Sequence, residues 1–415
     1  MRALKKIYWL AKAVLANLIY GHPAKSLKII GVTGTNGKTT TCFFIDSILQ
    51  NAGFKTARIT TIDYHLNDTP KPNPVHLTTF DAFRLQSFLS QARRKKIDWV
   101  ILEISSHGLA QNRVFGVELE RAVVTYASRE HLDFHQSIED YLQSKAKILT
   151  MLKKQGIAVL NRDDKNYNFY RSCLFNNKIT FGLLRGDIRA ERIEYKQKNT
   201  NFLLCTPQGN IRVNLALCGR FNVYNALAAT GAVLQRVSLD QVKQGLEALK
   251  YVPGRMEEIK VRGQNFRLIV DYVHTPDSLP VLLEELRPKA KRLIIVFGMP
   301  GQRDPSNRPL MGQAADRGAD IIILTNENPR KEDTMSIINQ IASGIKNKIE
   351  GEDLFKIVDR KQAIKKAIKL AQEGDLVLVA GKGPENYIEL KNKTIAWDDR
   401  LISRQLLKEF FKIKK

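Results

Sequence analysis

Residues 28–41 read KIIGVTGTNGKTTT: an apolar run, a glycine-rich turn, a lysine followed by threonines, and then a helical pattern. That order builds a phosphate cradle. Glycines let backbone N–H groups close around phosphate oxygens at a helix N-terminus, where the helix dipole also favours negative charge. On this reading Gly31, Gly34 and Gly37 open the turn, and Gly34, Thr35, Asn36, Gly37, Lys38, Thr39 and Thr40 line a nucleotide, ATP. Lys38 reaches the β- and γ-phosphates, and the Thr39 hydroxyl ligates Mg²⁺. The spacing departs from the usual P-loop at one place: Val32 stands five residues before Gly37, where a glycine is common.

Two further residues narrow the chemistry. Glu103 closes the apolar run WVILEI (99–104), and His131 follows the run VVTYA in SREHLDFH. A carboxylate at the end of a strand in an α/β sheet faces the ligand crevice. Together the two are candidate metal ligands beside the P-loop. A Mg²⁺ there would neutralise the charge that develops in phosphoryl transfer. Taken singly, each residue has a plainer alternative: a strand-end acid capping a turn, and a histidine satisfied inside the fold.

The elements that must position these groups read as α/β. Apolar runs KIIGV (28–32), WVILEI (99–104), AVVTY (122–126), LIVDYV (268–273), LIIVFG (293–298), IIILT (321–325) and LVLVAG (376–381) alternate with amphipathic helical patterns. Such continuous runs belong to parallel strands covered on both faces. Between Lys178 and Val213 the texture becomes short alternating segments, which predict a small antiparallel subsheet appended to the first sheet. A helix is predicted from near Asn222. Tyr251-Val-Pro-Gly254 then breaks the pattern and marks a hinge. The expected architecture is an N-terminal helical extension (1–26), a P-loop central domain with a mostly parallel sheet (27–251), and a Rossmann-like C-terminal α/β domain (252–415).

The chain has 415 residues, 43% hydrophobic and 26% charged, with a net charge of +24. That balance suits phosphate-bearing partners or a solvated basic surface. It carries no zinc-finger or RNA-binding aromatic signature, so no nucleic-acid partner is expected. The four cysteines lie far apart without a CxxC pair, which suggests neither zinc nor disulfides and points to the cytoplasm. The apolar stretch over 5–20 is interrupted by Lys12 and is far shorter than a bilayer span. It is expected to pack on the protein as a helix rather than lie on a membrane. A monomer is expected.

TGTNGKTTT, EISSHGLAQNR (103–113), SREHLD (128–133), YLQSKAKIL (141–149), GRFNVYNALAA (219–229), VPGRMEEI (252–259), DYVHTPDSL (271–279), RDPSNRPLMG (303–312), NENPRKED (326–333) and WDDR (397–400) follow one another along residues 27–402. Together they resemble the Mur ligase family, and within it the branch that adds diaminopimelate to a UDP-N-acetylmuramoyl dipeptide. The resemblance implies an ATP-dependent amide ligase of peptidoglycan synthesis. ATP phosphorylates a muramoyl-dipeptide carboxylate, and an amino acid then attacks the acyl phosphate. It implies that Lys38 contacts ATP phosphates and that Thr39, Glu103 and His131 surround magnesium. Lys145 falls where the family has a carbamylated lysine; read from the residues alone it is a surface lysine on a basic helix. By the same resemblance Asn222, Asn225, Arg255, Asp271 and His274 contact ATP, and Thr78, Thr79, Ser105, Gln111 and Arg113 contact the muramoyl peptide. Arg303, Glu327, Asn328, Arg330, Gly381 and Glu385 hold the amino acid. Diaminopimelate has a second amino-acid head, whose carboxylate suits Arg330 and whose ammonium suits Glu385 or Glu327.

The pattern breaks in places. Only about 30 residues precede the P-loop, where family members carry a uridine-nucleotide domain, so the chain is expected to lack that domain. Phe80 replaces the usual proline after Thr78-Thr79. Glu327 replaces the aspartate of DNPR, Pro384 a histidine, and GMPGQRD (298–304) the usual GCGGDRD. The alternatives are another acyl-phosphate ligase, of the folylpolyglutamate synthase kind, and an ATP-binding protein without ligase activity.

Overall fold

A computed structural model of the chain describes residues 2–75, 77–127, 134–135, 137–173, 175–196 and 199–413. The chain divides into two compact units, Met1–Lys250 and Tyr251–Lys415.

In the first unit, eleven strands among the described residues form one sheet. Its centre is parallel and runs Asn177–Gly182, Leu152–Asn161, Leu119–Val124, Ile29–Thr33, Trp99–Glu103, Thr56–Ile59. Ile29–Thr33 and Trp99–Glu103 are buried at every position, as strands with helices on both faces must be. Val32 pairs with Glu103 on one side and Val123 on the other, so three neighbouring strands end together. The strand order changes direction beside Ile29–Thr33, and such a switch point is where open α/β sheets bind ligands.

The predicted subsheet needs one refinement. Ile188–Tyr195, Thr200–Thr206 and Gly209–Leu215 pair antiparallel. Asn177–Gly182 instead pairs parallel with Leu152–Asn161 and joins the central sheet. Its last four residues are buried, as a covered central strand requires.

The N-terminal helix, predicted over 5–20, spans Arg2–Ile19. It buries Ala13 and Ala16 against Ala82 and Phe83 of the helix Ala82–Arg94. Leu4, Ile7, Tyr8, Leu15, Leu18 and Ile19 face outward. Among the described residues, no helix is long and apolar enough to cross a membrane.

The second unit has a sheet ordered Glu257–Glu258, Arg267–Asp271, Leu376–Ala380, Leu293–Phe297, Ile321–Leu324, Leu354–Lys356, parallel except at the first strand. The loops at its carboxyl end carry DYVHTPDSL, RDPSNRPLMG, NENPRKED and GKGPENY. A short hairpin, Tyr387–Glu389 with Thr394–Ala396, follows.

The P-loop helix Lys38–Asn51 is backed by the helix Leu239–Ala248 at close range. A Cβ on Gly245 would lie 2.3 Å from Ile48 Cα. Alanine gains about 1 kcal/mol of helix propensity there. Driving a methyl into backbone costs more, about 1–3 kcal/mol and upward. Gly245→Ala is therefore expected to lower the urea midpoint of unfolding; an unchanged or raised midpoint would contradict this packing.

Candidate active site

The loop between Ile29–Thr33 and the helix Lys38–Asn51 is shaped by two contacts that exclude side chains. Gly34 has φ 149°, and a Cβ there would lie 1.9 Å from Thr125 Oγ1. Gly37 has φ 86°, and a Cβ there would lie 2.3 Å from Asn225 Oδ1. The loop is tied to the neighbouring strand end by the Thr35 N–H, which donates to Tyr126 O, and by Thr125 Oγ1, which donates to Asn36 O at 2.6 Å. Thr35 Oγ1 meets the Tyr141 hydroxyl at 2.8 Å. Lys38 Nζ donates to the carbonyls of Gly34 and Thr35 at 3.0 and 2.7 Å. Gly31 is not part of the loop. It sits inside the strand, packed against Leu119, Ile104 and Ile148, because the chain turns only after Thr33.

Glu103 is 2% exposed, and its carboxylate is the node of the site. Oε2 accepts from Thr39 Oγ1 at 3.0 Å and from the Thr61 N–H at 2.8 Å, and Oε1 accepts from Thr61 Oγ1 at 3.0 Å. Thr61 is held in turn by a buried charged cluster. Arg58 joins Asp46 at 2.6 Å and Asp63 at 2.8 Å, and Asp63 accepts from Thr60 Oγ1 at 3.0 Å. Burial opposes the charge on Asp46, but the His65 hydrogen bond and the Arg58 guanidinium hold it below the ordinary carboxylate range.

Lys145 lies at the end of the helix Ile138–Ala146, only 2% exposed, and donates to Gly34 O at 2.6 Å. Its ammonium is 4.4 Å from the Tyr141 ring centroid. It thus packs against the P-loop and is not the surface lysine that sequence chemistry favours. Asn222 and Asn225 lie buried in the helix Arg220–Val233 and bond each other at 3.2 Å, and Asn225 abuts Gly37. His131 lies outside the described residues.

The residues matched to the muramoyl peptide form one chain of contacts from Glu103. The Thr78 and Thr61 hydroxyls are hydrogen-bonded at 3.0 Å. Thr79 Oγ1 accepts from the Ser105 N–H at 2.9 Å, and Thr79 O accepts from Arg113 Nη1 at 2.8 Å. Arg113 Nε and Nη2 grip Gln111 Oε1 at 2.9 and 2.6 Å. Phe80, which replaces the usual proline, is buried edge-on to Tyr64, 5.8 Å between centroids.

In the second unit, Arg255, Asp271 and His274 gather around Tyr272. The Arg255 guanidinium lies 4.6 Å from its ring centroid, and His274 Nδ1 is 2.6 Å from its carbonyl. Asp271 accepts from the Met256 and Val273 N–H groups at 2.7 and 2.8 Å, while burial pushes its carboxyl up. The Tyr272 hydroxyl donates to Glu385 Oε1 at 3.1 Å. Glu385 Oε2 accepts from Asn328 Nδ2 at 3.0 Å and from Lys382 Nζ at 2.6 Å. Arg330, at φ 54°, donates from Nε to Glu389 Oε2 at 3.0 Å and from Nη1 to Gly301 O at 2.9 Å. Arg303 is half-buried in the loop that begins at Gly298. Glu327 is buried beside Gly381; burial pushes its carboxyl up, opposed by Lys382, and its Oε2 has no hydrogen-bond partner among the described residues. So Glu327, Asn328, Gly381 and Glu385 come together, with Arg330 at the rim.

Sequence reasoning missed Thr61, Thr125, Tyr141, Tyr272 and Lys382. Tyr141 and Tyr272 sit inside recognised motifs and Lys382 stands next to Gly381, so these three were legible; Thr61 and Thr125 carry no local signal.

A P-loop at a sheet switch point, with a buried acid on its threonine and a buried lysine on its glycine, defines a nucleotide-binding α/β enzyme of the phosphoryl-transfer kind. Residues 32–233 match the Mur ligase middle domain, and residues 254–383 match the domain described as Mur ligase, glutamate ligase domain. The chain is 41% identical over 408 residues to the UDP-N-acetylmuramoyl-L-alanyl-D-glutamate–2,6-diaminopimelate ligase of Geobacillus kaustophilus, covering 96% of this chain and 82% of that protein. A solved structure of a ligase of the same name has a TM-score of 0.62 at 35% identity, over 93% of this chain and 79% of the other. Folylpolyglutamate synthase of Mycobacterium tuberculosis, solved with ADP and AMPPCP, has a TM-score of 0.74 at 16% identity, over 97% and 95%; that likeness is one of fold alone. The chain belongs to the Mur ligase family, the ATP-dependent, ADP-forming ligases.

Gly37 offers the sharpest test of the loop. Gly37→Ala adds a methyl where φ is 86° and Asn225 is already in contact. ADP affinity, measured by calorimetry, is expected to fall about tenfold or more, because a displaced N–H no longer meets its phosphate. Unchanged affinity would place the nucleotide elsewhere.

Proposed function

We propose that this chain joins the terminal carboxylate of a UDP-N-acetylmuramoyl dipeptide to meso-diaminopimelate, with ATP converted to ADP and phosphate, in peptidoglycan precursor synthesis in the cytoplasm. The observation that supports it most is the convergence of Lys38, Thr39, Glu103 and Lys145 on one P-loop. A carboxylate oxygen of the dipeptide attacks the γ-phosphorus and ADP leaves. The amine of the amino acid then attacks the acyl carbon, phosphate departs, and the nitrogen sheds its proton.

Gly34 to Thr40 bind the phosphates through backbone N–H groups, and Lys38 balances the charge passed to the β–γ bridge. The hydroxyl of Thr39 and the carboxylate of Glu103 form an oxygen donor set that suits Mg²⁺, with His131 as a further ligand. Mg²⁺ supplies charge neutralisation during phosphoryl transfer. Lys145, as a carbamate, would turn a buried cation into an anionic ligand at the same loop. Thr78, Thr79, Ser105, Gln111 and Arg113 orient the muramoyl peptide. Asn222, Asn225, Arg255, Asp271 and His274 serve the nucleotide.

The amino-acid pocket favours diaminopimelate over lysine. Arg330 offers a guanidinium to the far carboxylate, which lysine lacks, and Glu385 and Glu327 offer acid to the far ammonium. Arg303, Asn328 and Gly381 complete the pocket.

The test is phosphate release from ATP, with the muramoyl dipeptide crossed against diaminopimelate and lysine. Release is expected only with dipeptide and diaminopimelate together; equal release with lysine would overturn the pocket assignment. Lys38→Ala should abolish turnover with the fold intact by circular dichroism, and near-normal turnover would refute the P-loop role. Arg330→Ala should raise the KM for diaminopimelate about tenfold or more, the loss of a charged hydrogen bond, with far less effect on ATP. Short-chain carboxylic acids should partly restore Lys145→Ala if the carbamate is the active form; no recovery would count against it.

A further inference from the structure

WDDR (397–400) is a recognised motif that neither the nucleotide site nor the amino-acid pocket uses. Asp399 starts the helix Asp399–Ile413, and Arg360 starts the helix Arg360–Leu370. Both side chains are 0% exposed. They meet as a fork: Arg360 Nε donates to Asp399 Oδ1 at 2.8 Å and Nη2 to Oδ2 at 2.7 Å. Trp397 Nε1 donates to Asp399 Oδ1 at 2.8 Å. Arg360 also donates from Nη1 to Asn326 O at 2.9 Å and from Nη2 to Ala380 O at 2.8 Å.

The places of those two carbonyls give the contact its meaning. Asn326 immediately precedes Glu327, Asn328 and Arg330, and Ala380 immediately precedes Gly381, Lys382 and Glu385. The strands feeding these loops, Ile321–Leu324 and Leu376–Ala380, are not neighbours, since Leu293–Phe297 lies between them. No ladder hydrogen bond can therefore set the distance between the two loops. Side chains at the loop tips join them, through Asn328 with Lys382 and Glu385. At their roots one planar guanidinium bridges the two backbones, and Asp399 fixes its orientation. A buried ion pair is a poor source of stability, because well-packed apolar residues do as well or better. Its geometry, by contrast, is specific.

We propose that Arg360 and Asp399 are positioning residues for the amino-acid pocket, a clamp that sets the spacing between Asn328–Arg330 and Gly381–Glu385. The proposal rests on the reading of that pocket as the diaminopimelate site. An amino acid with two heads needs both loops at once, so the clamp acts on its binding and not on ATP. A displacement of about 1 Å between them costs up to about a hundredfold.

Two variants test it. Arg360→Lys keeps the charge but cannot bridge two carbonyls and a carboxylate. The double variant Arg360→Met/Asp399→Leu removes the charges together and keeps the site filled, which protects folding. Both should raise the KM for diaminopimelate about tenfold or more, with the KM values for ATP and dipeptide within about twofold of wild type. Both should also speed amide hydrogen exchange in residues 326–330 and 381–387 while leaving Leu293–Phe297 unchanged. A double variant with wild-type KM for diaminopimelate, or with equal rises for all three substrates, would overturn the clamp. If the wild-type enzyme releases no phosphate with diaminopimelate, the pocket reading fails instead. Loop exchange alone then decides, and unchanged exchange in both segments overturns the clamp.

Discussion

A carboxylate shut away from water must be given hydrogens, or its charge costs more than a small domain can supply. Glu103 meets that demand with Thr39 from the P-loop helix and Thr61 from the turn after a neighbouring strand. Those three hydrogen bonds tie the phosphate loop to the sheet end, and Thr78 and Thr79 join the same point through the Thr61 hydroxyl and the Glu103 carbonyl. Phosphoryl transfer relies mainly on placing charges before the reaction begins. A buried acid fixed from two sides does that, whereas an exposed one would wander. The buried Asp46–Arg58–Asp63 cluster belongs to the same device, since it holds the turn from which Thr61 reaches Glu103.

The second unit solves a related problem in another way. Its pocket residues lie on loops, which are mobile unless something fixes them. Asn328, Lys382, Glu385 and Tyr272 fix one another through side-chain hydrogen bonds, and Lys382 is completely buried among them. Glu327 stands apart, with one carboxylate oxygen lacking a partner among the described residues. That oxygen lies against Gly381, which has no side chain to obstruct it.

How much of this was legible in the sequence depended on the range of each interaction. The strands of both sheets could be read because complete burial leaves continuous apolar runs, and Ile29–Thr33, Trp99–Glu103 and Leu376–Ala380 lie where those runs placed them. The P-loop and Glu103 were legible because their residue types are demanded by the chemistry. Lys145 was not legible from its own chemistry: a lysine on a helix gives no sign that it is buried under a glycine carbonyl. Thr61 and Thr125 were missed because each acts through a partner more than forty residues away in a chain full of threonines. Gly31 was misplaced in the loop because the sequence does not mark where a strand of small and branched residues stops.

The central claim is that the carboxylate is activated as an acyl phosphate at the Lys38–Glu103 site. The most direct measurement is oxygen transfer. A muramoyl dipeptide whose reacting carboxylate carries two ¹⁸O atoms is turned over with ATP and diaminopimelate, and the released phosphate is weighed by mass spectrometry. The account predicts one ¹⁸O in each phosphate and one in the new amide carbonyl. Unlabelled phosphate formed alongside product would contradict it.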